Sequence, residues 1–281
     1  MVKSLNWLEL RSIPMLTHKT GLARQQLESD LRRAVQNGEL SLHYQPIVGL
    51  HWHGVTSCEA LMRWTSESRG SVSPAEFIPV AEDIGLIGQM GEWAIWQACK
   101  DAARWPDKIK VAVNLSADQF AGSELLMAAR HALEKSGLEP SRLSFEVTET
   151  LMLQDSAATL KTLTELRQMG IEIALDDFGT GYASLNYLRS FPFDKLKIDQ
   201  VFVRDLKHRI ECDAIVRAVV DLARSLGMRS VAEGVETLDH LRQVSIAGCD
   251  EVQGYFFSRP VEAGNVLDAI TQCDMKLQLA A

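Results

Sequence analysis

The sequence predicts an α/β protein in which eight strands close into a barrel with helices outside it. From about residue 109 onward, short apolar strands alternate with helices, which indicates parallel β-α-β units. Before them, the strands Leu40–Leu50 and Gly54–Trp64 are separated by a short connection. That connection predicts a hairpin, so the first strand is expected to be antiparallel to the second. No proline- and serine-rich or low-complexity linker interrupts the series, so one such domain is expected.

Three helices are predicted around the hairpin. In Arg24–Gln36, apolar side chains recur at every fourth residue from Leu27, which is typical of an amphipathic helix. Pro74 suits the first position of the next helix, and an alanine-rich helix covers Gly88–Trp105. Residues 1–20 lack the apolar run of a signal peptide and are interpreted as a linker or extension.

Six further strands are predicted, each followed by a helix. The strands cover Ile109–Asn114, Arg142–Glu146, Ile171–Asp176, Asp194–Ile198, Arg229–Ala232 and Glu251–Val252. The helices cover 123–136, 155–168, 184–189, 212–226, 238–246 and 263–273. With the hairpin this makes eight strands, for which a closed barrel is favoured over an open sheet.

The composition argues against several classes of function. A net charge of -8 over 281 residues does not attract a nucleic-acid polymer. The chain contains no run of about 18 apolar residues, so membrane insertion is not expected. None of the five cysteines forms a C-x-x-C pair. They are expected to be free thiols in a reducing cytoplasm.

Polar residues occur where almost every predicted strand ends. In barrels of this class the chemistry lies at that end of the strands. Alternation along the strand places Asn114, Glu146 and Asp176 on the inward face, opposite bulky residues that would pack against helices. Glu172 has the same inward parity at the start of its strand, and the sequence assigns it no role. The residues at the strand ends are Glu59, Asn114, Glu146, Asp176 with Asp177, Lys197, Glu233 and Gln253.

Each of these residues also has an ordinary structural interpretation. Asn114 and Asp176 are equally good helix caps, and an isolated lysine such as Lys197 is usually on the surface. The glycines Gly179 and Gly181 resemble a dinucleotide loop only weakly, because two carboxylates directly before them would repel a pyrophosphate. Only the combination at one end of the barrel predicts a functional site.

The set of side chains predicts a site for hard cations. Carboxylates with an amide suit Mg²⁺ or Mn²⁺, whereas zinc prefers histidine or cysteine, and no histidine follows a predicted strand. Several acids together indicate a two-metal site that activates water against a phosphodiester. Glu233, followed by a second acid Glu236, is a candidate to take the proton of that water. Lys197 is a candidate to hold the water or a phosphate oxygen.

The string Glu59-Ala60-Leu61, continued by Met62-Arg63-Trp64, resembles the signature of the EAL-domain cyclic di-GMP phosphodiesterases. Further motifs of that family follow in the same order, from about Leu22 to Pro260. They are Tyr44-Gln45-Pro46-Ile47, Asn114-Leu115-Ser116, Glu146-Val147-Thr148-Glu149, Asp176-Asp177-Phe178-Gly179-Thr180-Gly181, Lys197-Ile198-Asp199, Glu233-Gly234-Val235-Glu236 and Gln253-Gly254-Tyr255.

The resemblance implies a modified TIM (β/α)8 barrel with the first strand antiparallel, in which residues 21–281 form the EAL phosphodiesterase domain. It implies hydrolysis of cyclic di-GMP to linear 5'-pGpG with Mg²⁺ or Mn²⁺ as the cofactor and two ions in the site. The implied metal ligands are Glu59, Asn114, Glu146 and Asp176 for one ion and Asp177 for the other. The implied catalytic residues are Glu59, Lys197 and Glu233. The implied substrate contacts are Gln45, Leu61, Arg63 and Gln253, the last of which would also support the lysine or the water around the second metal.

The resemblance also implies a homodimer. Glu149 would fix the loop 177–184, which contains Gly179 and Thr180, and the segment 177–190 would form the dimer contact. Two other hypotheses stay open. One is a cyclic di-GMP receptor that binds without hydrolysis, and the other is an unrelated metal-dependent barrel enzyme acting on a sugar phosphate or an enolisable acid.

Overall fold

A computed structural model describes residues 19–280 except 52–53, 121–122, 154–155, 180–184, 192 and 207–208. Within these residues, ten strands form one sheet. The strands are β1 (Leu40–Gly49), β2 (Gly54–Ser66), β3 (Gly70–Val72), β4 (Lys110–Leu115), β5 (Leu143–Thr148), β6 (Glu172–Phe178), β7 (Lys195–Ile198), β8 (Arg229–Ala232), β9 (Glu251–Gln253) and β10 (Val261–Glu262).

Helices follow most of the strands. They are α1 (Lys19–Asn37), α2 (Pro74–Asp83), α3 (Ile87–Ala102), α4 (Glu124–Ser136), α5 (Ser156–Gln168), α6 (Leu185–Ser190), α7 (Gln200–Arg204), α8 (Ile210–Ser225), α9 (Leu238–Ala247) and α10 (Val266–Ala280). Every predicted helix corresponds to one of these, with ends that differ by a few residues. The largest difference is α10, which ends seven residues beyond the predicted limit of Cys273.

The sheet closes into the predicted barrel of eight strands within the described residues. Its order is β1-β9-β8-β7-β6-β5-β4-β2, and pairing of β1 with β2 completes the circle. β1 is antiparallel to both of its barrel neighbours, whereas the pairs from β2 through β4 to β9 are parallel. This confirms a modified TIM barrel with an antiparallel first strand.

Two short strands extend the sheet beyond the barrel and were not predicted. β3 pairs antiparallel with the end of β2, and β10 pairs antiparallel with β1. Strands of two or three residues are too short to show an alternating pattern. They exist because longer neighbours offer them a free edge.

The outer face of the barrel carries the main hydrophobic core. Strand residues such as Val111, Phe145 and Ile173 are completely buried or nearly so, and they pack in one cluster with apolar residues of the surrounding helices. A second cluster joins α1, α2 and the far end of β2 around Trp64 and Phe77, whose rings meet edge to face. The parity prediction is therefore confirmed, and the inner face is left for polar side chains.

Inside the barrel, the first residues of five strands form a charged network, here called the lower layer. Arg229 donates to Glu172 Oε1 at 2.8 Å and to Glu251 Oε1 at 3.1 Å. Lys195 Nζ donates to Glu251 Oε2 at 2.7 Å, and Lys110 Nζ donates to Glu172 Oε1. Glu172, which had no role in the sequence, is thus a structural ion-pair partner.

All five cysteines are buried free thiols, as predicted. Among the described residues, no helix has both the length and the apolar character that crossing a membrane requires. His51 lies in the hairpin turn and is exposed, whereas His53 is outside the described residues.

Candidate active site

The side chain of Lys197 is the centre of the site. It projects inward from β7 with 1% of its side chain exposed, and four acids from four other segments surround its ammonium group. Glu59, Glu146 and Asp176 lie within three different strands and Glu233 directly follows a fourth, so the barrel itself brings them together. The distances from Nζ are 2.6 Å to Glu146 Oε2, 2.7 Å to Glu233 Oε1, 3.2 Å to Asp176 Oδ1 and 3.6 Å to Glu59 Oε2.

Glu59 is held by two amides in addition to the lysine. Asn114 Nδ2 donates to its Oε1 at 2.7 Å, and Gln253 Nε2 donates to its Oε2 at 2.6 Å. Gln253 Nε2 also reaches Gln45 Oε1 at 3.2 Å, and Gln45 in turn donates to the carbonyl of Ser258 at 3.1 Å. The carboxylate of Glu59 is therefore fixed in orientation by neighbours on β4 and β9.

Asp176 and Asp177 face the same cavity although they are adjacent in sequence. Alternation along a strand would separate them, but Asp177 adopts a left-handed conformation with φ 55°. Aspartate tolerates this conformation better than most residues do. The amide of Asp177 donates to Asp176 Oδ1 at 2.9 Å, and oxygen atoms of Asp176, Asp177 and Glu233 all lie within 4.8 Å of one another.

The turn after Asp177 is anchored by Glu149. Its Oε1 accepts a hydrogen bond of 2.8 Å from the amide of Gly179, which has φ 97°. A Cβ at position 179 would lie 2.9 Å from the ring of Phe202, so glycine is required there. The predicted role of Glu149 toward this turn agrees with that bond at Gly179, whereas Thr180 lies outside the described residues.

The pKa values show an excess of negative charge. Burial raises the pKa of Glu146 and of Glu233 well above the usual range, and the other acids add to the effect of burial while Lys197 opposes it. Burial, together with the charge of Asp176, raises the pKa of Asp177 to about 8. Glu59 is different, because Lys197 and the two amides outweigh burial and lower its pKa.

Lys197 keeps its proton. Burial would lower its pKa, but the four surrounding acids raise the pKa well above the ordinary lysine value. The group is therefore a cationic hydrogen-bond donor and not a base. Any base in this site has to be one of the carboxylates.

Divalent cations fit this set of donors. In the described part of the site, five carboxyl groups face one ammonium, so their full ionisation would leave four negative charges in excess. Two divalent cations would neutralise that excess. Gln253 Oε1 is also buried without a hydrogen-bond partner among the described residues, so it can accept from water around such ions. Carboxylate and amide oxygens are the ligands that Mg²⁺ and Mn²⁺ prefer.

A cleft of about 1090 Å³ opens above these acids. This volume is larger than that of most pockets for drug-sized molecules. A ligand made of two nucleotides requires a cleft of such a size. Gln45, Leu61 and Arg63, for which substrate contacts are predicted, line it, and Asn114 is exposed to it. Arg63 brings positive charge to the wall next to Glu59. Glu146 and Lys197 lie almost completely buried.

The rim of the cleft also contains Glu236, which was predicted, and Asp199, which was not. Glu236 also lines the cleft, where Arg204 of α7 donates to its Oε1 at 3.1 Å. Asp199 was not predicted: it is buried, caps α7 through a 2.7 Å bond to the amide of Val201, and raises the pKa of Asp177. The motif Lys197-Ile198-Asp199 contained this aspartate, but a helix of five residues has too little periodicity to reveal that its first residue needs a cap.

Comparison with known proteins identifies related chains. A family profile described as "EAL domain" matches residues 28–260. The chain is 43% identical over 249 residues to the bifunctional diguanylate cyclase/cyclic di-GMP phosphodiesterase MucR of Pseudomonas aeruginosa, which covers 87% of this chain and 36% of the relative. It is 39% identical over 241 residues to the cyclic di-GMP phosphodiesterase PdeR of Escherichia coli, covering 84% of this chain and 36% of the relative.

The fold has a counterpart among solved structures. The PaMucR phosphodiesterase in complex with c-di-GMP is 43% identical and superposes with a TM-score of 0.82, covering 86% of this chain and 99% of that one. The chain spans about a third of the length of the two curated relatives named above.

Proposed function

The chain belongs to the EAL domain family, and from that premise we propose that it is a phosphodiesterase that hydrolyses cyclic di-GMP to linear 5'-pGpG. The observation that carries the proposal is the complete set of acids, amides and lysine at the floor of a cleft of dinucleotide size. The names of MucR and PdeR, and the c-di-GMP complex of the related structure, support the choice of substrate.

We propose Mg²⁺ or Mn²⁺ as the cofactor, with two ions bound. Glu59, Asn114, Glu146 and Asp176 would hold one ion, and Asp177 would hold the other. The closeness of the oxygens of Asp176, Asp177 and Glu233 supports a second position. When bound, such ions neutralise the phosphodiester and make water easier to deprotonate.

The protein's own residues then have distinct tasks. Glu233 takes a proton from the attacking water, because its carboxylate lies at the mouth of the site and Lys197 holds it in place. The oxygen of water bonds to phosphorus, the bond to the 3' oxygen breaks, and that oxygen takes a proton from solvent to become the 3' hydroxyl of pGpG. Lys197, as a permanent cation, stabilises charge that develops on the phosphate or the water. Glu59, fixed by two amides, keeps the metal ligands in orientation.

The substrate is held by the cleft walls. Gln45, Leu61 and Arg63 would contact the dinucleotide, with Arg63 facing its phosphate charge. Gln253 links Gln45 to Glu59 and so couples the wall to the floor. Because binding orients a large substrate against a fixed set of acids, part of the rate enhancement comes from positioning.

Two further properties are proposed. The chain forms a homodimer through the segment 177–190, of which residues 180–184 lie outside the described residues, and light scattering of the purified protein tests this. The protein acts in the cytoplasm, which its five buried free thiols support.

The experiment is hydrolysis of cyclic di-GMP by the purified protein with Mg²⁺ or Mn²⁺, following pGpG by chromatography. We expect turnover that stops on adding EDTA and returns with excess metal. A folded protein that binds cyclic di-GMP without cutting it would replace the enzyme by the receptor hypothesis. A protein that does not bind it at all would favour an unrelated barrel enzyme.

A further inference from the structure

We propose that Lys276, on the last helix, is a positioning residue for the substrate-binding turn 253–258. The proposal rests on the proposed function, since it assigns this residue a part in binding cyclic di-GMP. Lys276 lies on α10, beyond residue 260 where the family match ends. Its Nζ donates to the carbonyl of Phe257 at 2.7 Å and to that of Phe256 at 3.1 Å.

The turn held by these bonds carries several groups of the site. It begins at Gln253, whose amide bonds to Glu59, and continues to Tyr255, which is half-exposed in the wall of the cleft. It ends at Ser258, whose carbonyl accepts the hydrogen bond from Gln45. Lys276 holds the later part of this turn, so movement there would displace contacts in the wall of the cleft, whereas Gln253 is held separately by the pairing of β9 with β1.

The other side of the turn is fastened to the segment after Glu233. The amide of Val235 donates to the carbonyl of Gln253 at 3.0 Å, and the carbonyl of Val235 accepts from the amide of Phe256 at 2.9 Å. A Cβ at Gly254 would lie 2.1 Å from the carbonyl oxygen of Val235, so the backbones meet directly. The turn is thus held from two sides. Val235 bonds to one side, and Lys276 bonds to the carbonyls that face α10.

The helix that presents Lys276 is itself well anchored. Asp274 Oδ1 accepts a hydrogen bond of 2.9 Å from the amide of Val55 at the start of β2. Cys273 and Leu277, on either side of Lys276, are buried in the main core. An ammonium on such a support forms charge-assisted hydrogen bonds, which are stronger than those the two carbonyls would make with water.

The expected effect is on binding rather than on the chemical step. Lys276 touches neither the cleft acids nor Lys197, so the reacting groups keep their arrangement when it is replaced. Replacing Lys276 by methionine keeps an unbranched side chain that is one atom shorter, and it removes all three donors. We expect KM to rise about fivefold to tenfold with kcat within twofold of the wild type, which is the pattern of lost uniform binding.

The experiment compares Lys276→Met with Lys276→Arg and with Lys108→Met. Arginine retains a charged donor, so the KM of Lys276→Arg is expected to stay close to that of the wild type. Lys108 is exposed and precedes β4, at the opposite end of the barrel, so the same replacement there should leave KM and kcat unchanged. The melting temperature of each variant shows whether a change in KM merely reflects unfolding.

A second measurement separates this proposal from the proposed function. In the Asp177→Asn background, where turnover is expected to be slow enough to measure binding, the Kd for cyclic di-GMP with Mg²⁺ should also rise fivefold to tenfold with Lys276→Met. If the wild type binds without hydrolysis, this Kd still tests Lys276. An unchanged KM and Kd, or a loss confined to kcat, would overturn the role given to Lys276. If the wild type does not bind cyclic di-GMP, both proposals fail.

Discussion

The two layers inside the barrel are built from the same residue types but differ in how their charges balance. In the lower layer, the acids Glu172 and Glu251 meet three cations, Lys110, Lys195 and Arg229. In the layer above, here called the upper layer, Lys197 alone meets Glu59, Glu146, Asp176 and Glu233, with Asp177 beside them.

The carboxyl pKa values respond to this difference. Glu172 is mostly buried, which would raise its pKa, but the hydrogen bond from Lys110 and the charge of Arg229 outweigh burial and lower the pKa. Glu146 is buried and Glu233 is partly buried, and the single lysine is not enough to prevent a large rise in the pKa of either group. The lower layer therefore contains enough cations to stabilise its own carboxylates, whereas the upper layer requires cations from outside.

The largest expected effect is loss of turnover when an upper-layer acid is neutralised. Asp177→Asn keeps the shape of the side chain, and asparagine also tolerates a positive φ. We expect turnover to fall about 10³- to 10⁴-fold, roughly 4–5.5 kcal/mol in activation free energy. The metal-free variant should melt no lower than the wild type, because one of several repelling charges is gone. A variant that hydrolyses cyclic di-GMP normally would show that the upper layer does not bind the required metal.

Neutralising a lower-layer acid should reduce stability and leave turnover unchanged. Glu251→Gln leaves Lys195 and Arg229 without their buried carboxylate, and the side chain of Glu251 is completely buried. We expect the free energy of unfolding to fall by about 3 kcal/mol, measured by urea denaturation. Turnover per folded molecule should remain near that of the wild type. Loss of turnover without loss of stability would contradict the structural role of this layer.

Added metal should stabilise the protein through the upper layer only. At a concentration of Mg²⁺ or Mn²⁺ a hundredfold above Kd, the gain is about 2.7 kcal/mol. This corresponds to a rise in Tm of roughly 5–10 °C for a protein of this size. The rise should persist in Glu251→Gln and largely disappear in Asp177→Asn. Equal rises in both variants would place the ions elsewhere.

The pH dependence of the metal-free protein should have opposite signs for the two layers. The upper-layer acids other than Glu59 bind protons more tightly when folded than when unfolded, so stability falls as pH rises from about 4 to about 8, where Asp177 titrates. The change should be about 1–2 kcal/mol, because neighbouring acids share protons. Glu172 has a lowered pKa, so its contribution is present above about pH 4.3 and is lost as pH falls further. Melting in EDTA across this range tests both signs, and saturating Mg²⁺ should abolish the decline toward pH 8.

The smallest effect is expected from an exposed acid, which serves as the matched control. Glu165 on α5 lies 3.9 Å from Lys161, and 41% of its side chain is exposed. Glu165→Gln should change the free energy of unfolding by less than about 0.5 kcal/mol, because water screens this pair. A change as large as that of Glu251→Gln would mean that burial does not explain the difference between the layers.

The upper layer could be predicted from sequence because it follows two simple rules. Alternation gives the side of the strand on which Asn114, Glu146 and Asp176 lie, and the barrel brings strand ends together. The sequence shows that Asp176 and Asp177 are adjacent. It does not show the left-handed backbone of Asp177 that turns both side chains inward, because no glycine occupies that position.

The lower layer and the outer supports could not be predicted in the same way. Glu172 had a visible parity, but its partners Lys110 and Arg229 are 62 and 57 residues away, and their approach depends on packing across the barrel. Lys276 offered no signal either, since its bonds go to backbone carbonyls, which every residue possesses. Sequence patterns predict the face of the strand on which a side chain lies. Which residues it contacts there depends on pairing between distant parts of the chain.

Strand β7 contains only four residues, yet it supplies the lysines of both layers from positions 195 and 197. Inserting or deleting one residue before Lys195 would reverse the facing of the strand, moving both ammonium groups among the apolar side chains under the helices. Point substitutions can change the two layers separately, but a change in the length of this strand alters both together. Homologues should therefore differ in length at the connecting loops and keep the spacing of this strand unchanged.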